Sequence, residues 1–190
     1  MMRVFPSRLL LLAAAVGLLS SAPRASCQQE SRNLAGGSVD IVTQPLGFDD
    51  PYSWMLGAGL FYERRLEVVG LSWVLGARAA VYAQHPLQEL FGESTTIWGG
   101  GTLGLELARR VNDDFAFSLV PFVGFGHYWR QLEHDGATYT ANRPLAMAGV
   151  NFDLLIGRRM SCGVSLEPVV ILDQSPLAAV AQAARLGIRF

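Results

Sequence analysis

The sequence predicts an all-β chain, an eight-stranded antiparallel up-and-down transmembrane β-barrel. Apolar and polar residues alternate with period two through most of the chain, and a hydrophobic leader precedes them. Unbroken alternation lasts about 13 to 17 residues, against the roughly 9–11 needed to cross a bilayer and about 5–6 in a soluble strand. Bulk composition agrees: 51% of residues are apolar, only 16% are charged, and the net charge is −1. So little charge argues against a nucleic-acid partner, which would need a basic footprint.

The leader comes first. Arg3 and Arg8 precede the apolar run Leu9–Ala22, and the small-residue stretch PRASC follows, so residues 1–27 are expected to be a secretory signal peptide. Cleavage falls between Ala22 and Cys27. The alternative is a lipidated Cys27, for which Ala25 and Ser26 are acceptable and Arg24 is a poor neighbour. Residues 28–36 then form a periplasmic N-terminal segment, and 37–190 the barrel. No later apolar run is long enough for a membrane helix, so membrane crossing would fall to strands.

The strands are expected at about 37–45, 53–63, 68–83, 95–109, 114–130, 142–157, 160–173 and 179–190. The first, GSVDIVTQ, is the weakest, because it is short and stops before Pro45. The third sets Val69, Leu71, Trp73, Leu75, Ala77 and Val81 against Gly70, Ser72, Gly76, Arg78 and Tyr82. The fifth sets Phe115, Phe117, Leu119, Val123, Phe125 and Trp129 against Ser118, Gly124, Gly126 and Tyr128. In the sixth, Ala146, Ala148, Val150, Phe152, Leu154 and Ile156 oppose Asn151 and Asp153. In the seventh, Met160, Cys162, Val164, Leu166, Val170 and Leu172 oppose Ser161, Gly163, Ser165, Glu167 and Asp173. The last runs Val180, Gln182, Ala184, Leu186, Ile188, Phe190 on one face, with Arg185 and Arg189 on the other. A helix would scatter those arginines, whereas a strand puts both on one side. The pattern is that of strands with lipid on one face and a polar lumen on the other.

Aromatic residues fit an interfacial girdle: of Trp54, Trp73, Trp98 and Trp129, three fall near expected strand ends on one side of the barrel, with Tyr52, Tyr82, Tyr128 and Tyr139 at the same level. Connections alternate in length. Short ones carry the doublets Arg64-Arg65, Arg109-Arg110 and Arg158-Arg159, which are expected to mark periplasmic turns. Longer ones, around PLGFDDPY, QHPLQELFGES, QLEHDGATYTAN and QSPLA, are expected outside. Both termini then lie in the periplasm.

Catalytic and ligand motifs are sparse. GGGTLG (Gly99–Gly104) satisfies a dinucleotide fingerprint literally, but no buried strand precedes it and no helix follows. His85, His127 and His134 have no metal-ligand spacing, and no nucleophile or carboxylate grouping calls for an enzyme, metal or cofactor. The polar faces carry Arg78, Glu106, Arg130, Asp153, Glu167, Arg185 and Arg189, together with Asp40. Charges in a narrow lumen must be paired or solvated, so these residues are candidates for a plug or a gate. Leu87, Leu90, Phe91, His134 and Tyr139 are candidates for extracellular contacts.

Strand count, loop alternation and the terminal Phe190 make residues 37–190 resemble the small eight-stranded outer-membrane barrels, including outer membrane proteins W and X and the barrel domain of A. The resemblance to protein W implies a narrow channel or lateral conduit for small, hydrophobic solutes. It also implies outer-membrane lipid as surroundings and an assembly machinery that reads Phe190. Two alternatives are a surface interaction protein that uses its loops on a closed barrel to meet a host or surface ligand, and a periplasmic ligand-binding barrel.

Overall fold

The computed structural model describes residues 32–46, 54–84, 94–110, 114–134, 137–157, 159–173 and 177–190. Its strands are β1 (Asn33–Leu46), β2 (Trp54–Val68), β3 (Leu71–Gln84), β4 (Ser94–Leu105), β5 (Leu107–Arg110), β6 (Phe115–His134), β7 (Ala137–Ile156), β8 (Met160–Ile171) and β9 (Leu177–Arg189). Each pairs antiparallel with its chain neighbour, β1 pairs with β9, and β4 pairs with β6 across the short β5. β4 and β5 are two parts of one stave, so eight staves close the barrel.

The interruption between them has a chemical cause. Pro121 on β6 has no N–H to give opposite Leu105, so the ladder lapses there and resumes at Leu107↔Leu119 without a change of register. On the other side the β3 ladder carries on in register, with the Glu106 N–H donating to Ser72 O at 2.8 Å. A matching lapse in the β7–β8 ladder lies beside Pro168.

One row of paired residues followed round the wall runs Ile188, Ala35, Tyr62, Ala77, Gly101, Phe125, Ala146, Val170 and back to β9 at Ala178, a stagger of ten residues. Stagger of this order tilts the strands by roughly 35–45°. All of these residues face outward. The burial is inverted relative to a soluble barrel: Leu60 is 73% exposed, Phe125 72% and Ile188 62%, while Asp40 and Ser118 are 0% exposed and Glu167 1%. The predicted faces of the third, fifth, sixth, seventh and last strands all point as expected.

Four expectations need correction. The first strand is not short; it begins at Asn33 and pairs fully with β2 and β9. Arg64 and Arg65 are not in a turn, because β2 continues to Val68 and the reversal falls at Val69-Gly70. Both turn residues have positive φ, 53° and 71°, as the tightest hairpin requires. QLEHDGATYTAN is not a loop, since β6 runs to His134 and β7 starts at Ala137. Trp98, Tyr82 and Tyr128 are not in a girdle, because they point into the barrel and are buried. Trp54 and Trp73 do face outward, and Tyr52 lies outside the described residues.

A β-branched residue with φ near +53° is strained. Val69→Gly is therefore expected to raise folding stability by about 1 kcal/mol, read as a higher urea midpoint in detergent. An unchanged midpoint would show that the turn carries no such strain.

Candidate functional site

The lumen is filled in layers. Nearest the short-turn end, Glu106 is a hub. Arg65 Nε donates to both of its carboxylate oxygens at 2.8 Å, Ser118 Oγ donates at 2.7 Å and Ser72 Oγ at 3.2 Å. Arg189 approaches the same carboxylate at 3.7 Å. Four separate staves thus meet on one side chain.

The next layer centres on Arg185. Its guanidinium pairs with Glu63 at 2.5 Å, lies 3.9 Å from Asp153, and stacks 4.2 Å over the Phe61 ring. Asn151 Nδ2 donates to Glu63 at 3.2 Å. Above this, Arg78 pairs directly with Glu167, and the Tyr82 hydroxyl donates to Asp40 at 3.0 Å. Tyr82 meets Trp98 edge-on, with ring centroids 5.0 Å apart. From there to the loop end the interior is mostly apolar, built from Val42, Met55, Phe122, Tyr128, Leu145, Met147, Val169 and Ile171 among others, with Thr96 and Arg130 as polar side chains within it. Gly149 makes room for one of these, since a Cβ there would come within 2.9 Å of the Phe122 ring.

All seven lumen candidates face inward, and the fold joins Glu106 with Arg189, Asp153 with Arg185, and Arg78 with Glu167. Arg130 stands beside Thr96 near the upper end of the β4–β6 ladder. Glu63 and Arg65, both buried lumen residues, were not among the candidates: Glu63 closes the expected second strand, for which no faces were assigned, and Arg65 lies beyond its end. Continuing the period two residues further would have found Arg65. Between the Arg185 and Arg78 layers lies a cavity of about 20 Å³, lined by Ser38, Phe61, Glu63, Arg78, Asn151 and Arg185 among others. That is room for about one water molecule.

Among the described residues, β6 and β7 extend above the other staves. Their ladder continues to His134↔Ala137, whereas β4 stops pairing with β6 at Ser94↔Leu132 and β8 stops pairing with β7 at Ile171↔Leu145. Among the described residues, no strand neighbours Ala137–Arg143 on the β8 side. Pro144 O accepts from Leu172 N at 2.9 Å, so the alternating pattern directs the backbones of Asn142, Thr140 and Thr138 to the same side, where Arg143 Nη1 donates to the Asn142 carbonyl at 3.0 Å. Arg143, also bound to Asp173 at 2.7 Å, stands at the foot of this stretch. Tyr139 is 59% exposed on the ribbon. His134 is the last residue of β6, and Leu87, Leu90 and Phe91 lie outside the described residues. His127 points outward and pairs with Asn142. Among the described residues no cluster of His, Cys, Asp or Glu could hold a metal ion.

No family model matches the sequence, and no curated protein does. Solved structures do. Ail, the attachment invasion locus protein of Yersinia pestis, is 17% identical with a TM-score of 0.56, covering 85% of this chain and 98% of its own. Ail in complex with the heparin analogue sucrose octasulfate gives 16% and 0.54 over the same shares. Neisserial surface protein A is 7% identical with a TM-score of 0.61, covering 83% of this chain and 96% of its own. The chain therefore has the fold of the small eight-stranded outer-membrane β-barrels.

Proposed function

We propose that this chain is a non-enzymatic outer-membrane scaffold that presents the β6–β7 ribbon to partners at the cell surface. The observation that carries the reading is the stretch of β7, Ala137–Arg143, that no described strand pairs on the β8 side, raised above the layered lumen. These seven residues extend roughly 20 Å at strand rise. On the β8 side Thr138 and Thr140 present their backbone N–H and C=O groups, while the Asn142 carbonyl accepts from Arg143 Nη1 at 3.0 Å. Such an edge accepts an extended segment of another protein as an added strand. Between Ala137 and Asn142 it carries no lysine and no proline that would guard it. A shared fold with a protein named for attachment supports the same direction.

The orientation follows from this reading. Ribbon and longer loops face outward, and the short turns, the β1 start and Phe190 lie on the periplasmic side. Residues 1–27 serve for export, and Phe190, exposed at the end of the β9 lipid face, serves as the assembly signal. In this scheme the ion-paired layers act as a plug that holds the staves in register.

Cells displaying the chain are expected to adhere to host-cell or matrix-coated surfaces. Thr138→Pro with Thr140→Pro removes two edge donors without touching the β6 ladder, and should lower adhesion about tenfold. Equal surface amounts of the two proteins, checked by antibody, keep the comparison valid. Undiminished adhesion would remove the edge from the reading.

A second reading, a narrow conduit for small solutes, is favoured by the cavity between Arg78 and Arg185, where exchange of carboxylate partners would open a path. Its mark is planar-bilayer conductance that changes in Arg78→Ala. A silent bilayer together with edge-dependent adhesion supports the scaffold.

A further inference from the structure

The outer wall is apolar through its middle except at one described position. Gln182 lies in the middle of β9, paired with Ile41 of β1 and Leu166 of β8, and is exposed on the outward face. The other outward polar side chains described, among them Asn33, Arg64, Thr43, Thr95 and His127, stand toward the ends of the wall, where head groups and water are close. From mid-belt a glutamine side chain is too short to reach either interface. Its amide has two N–H donors and a carbonyl acceptor, and hydrocarbon offers them nothing.

An identical amide would satisfy both needs. Two glutamines related by a two-fold axis along the membrane normal can each donate to the other's carbonyl, a reciprocal contact of the kind a symmetric dimer makes. The neighbouring outward residues on β9 are Val180 and Ala184, small enough for two walls to approach closely, as packed surfaces in membranes require. The same axis brings Ile41 of one copy against Leu166 of the other.

We propose that two copies of this chain pair through the β8–β9–β1 wall, with their Gln182 side chains hydrogen-bonded across the axis. The ribbons of both copies would then be carried side by side in one orientation.

The test uses the full chain with Cys162→Ser, reconstituted in phosphatidylethanolamine–phosphatidylglycerol vesicles. Copies with Ile41→Cys are mixed with copies carrying Leu166→Cys and oxidised, and a Val123→Cys pair on a different part of the wall is the control. Mixed 41–166 cross-links well above the control are expected, falling about tenfold in Gln182→Leu and persisting in Gln182→Asn. Gln182→Leu removes a polar group from a lipid face, so its folding is not at risk, and the shift in gel migration on boiling verifies this. Cross-linking no greater than the Val123 control, or undiminished in Gln182→Leu, would overturn the proposal.

Discussion

Glu106→Ala is expected to cost about 3–5 kcal/mol of folding stability, the largest loss from any single lumen substitution. The reason is what it leaves behind. Arg65 is 9% exposed and Arg189 7%, and both are held against this one carboxylate on the floor of the lumen. Removing the carboxylate takes away the acceptor of Arg65 Nε and of two serine hydroxyls, and one partner of Arg189, in a space with little water. Unfolding by urea in lipid vesicles, followed by gel migration before and after boiling, measures the loss. Neutralising the cluster with Arg65→Met and Arg189→Met in the same chain should restore most of it, since a buried ion pair is worth little more than a packed apolar replacement. The Glu106 and Arg65 substitutions should be non-additive by about 1–3 kcal/mol. A loss below about 1 kcal/mol for Glu106→Ala would mean that water reaches the hub and that the lumen floor is open.

The same residues show what the sequence could disclose. The alternation in MSCGVSLEPVVI or VAQAARLGIRF assigns each residue to a face, because a strand has period two and nothing else in that stretch competes. It does not by itself say which face is inside, and strand length and the aromatic ends had to settle that. The error at Arg64-Arg65 came from treating a charge doublet as a boundary. In a barrel with a charged lumen, one of two adjacent arginines can point inward to a carboxylate while the other reaches head groups, so a doublet is compatible with an unbroken strand. Arg65 was lost through this assumption, and Glu63, the last residue inside the expected strand, was left without a face. The partners of Glu106 come from β2, β3, β6 and β9, and no local pattern reports which staves converge.

The ribbon was hidden for a different reason. Above the rim both faces of a strand meet water, so QLEHDGATYTAN has no apolar face to alternate and looks like a loop. Only the continuous β6–β7 ladder reveals it. Trp98, Tyr82 and Tyr128 illustrate the converse. Their polar tips suit an interface, yet the upper lumen buries them because the residues around them leave apolar space there.

Phe125→Lys should cost about 2–4 kcal/mol in a bilayer, since a charge is forced into hydrocarbon near mid-depth. On a soluble protein a side chain 72% exposed would tolerate lysine within about 0.5 kcal/mol, so the substitution separates the two solvents cleanly. Depth provides the internal control. Phe117 faces the same way on β6 but lies close to the short-turn end, where lysine reaches head groups, and Phe117→Lys should cost about 0–1 kcal/mol. Thr140→Lys, on the ribbon in water, should be neutral. The expected order is therefore Phe125, then Phe117, then Thr140, although all three side chains are exposed. Urea unfolding in vesicles measures it, and three equal small effects would place the apolar wall in water. The graded order instead follows only if the outward face is solvated by lipid through its middle, the same condition that leaves the Gln182 amide without water and the β6–β7 ribbon clear of the membrane.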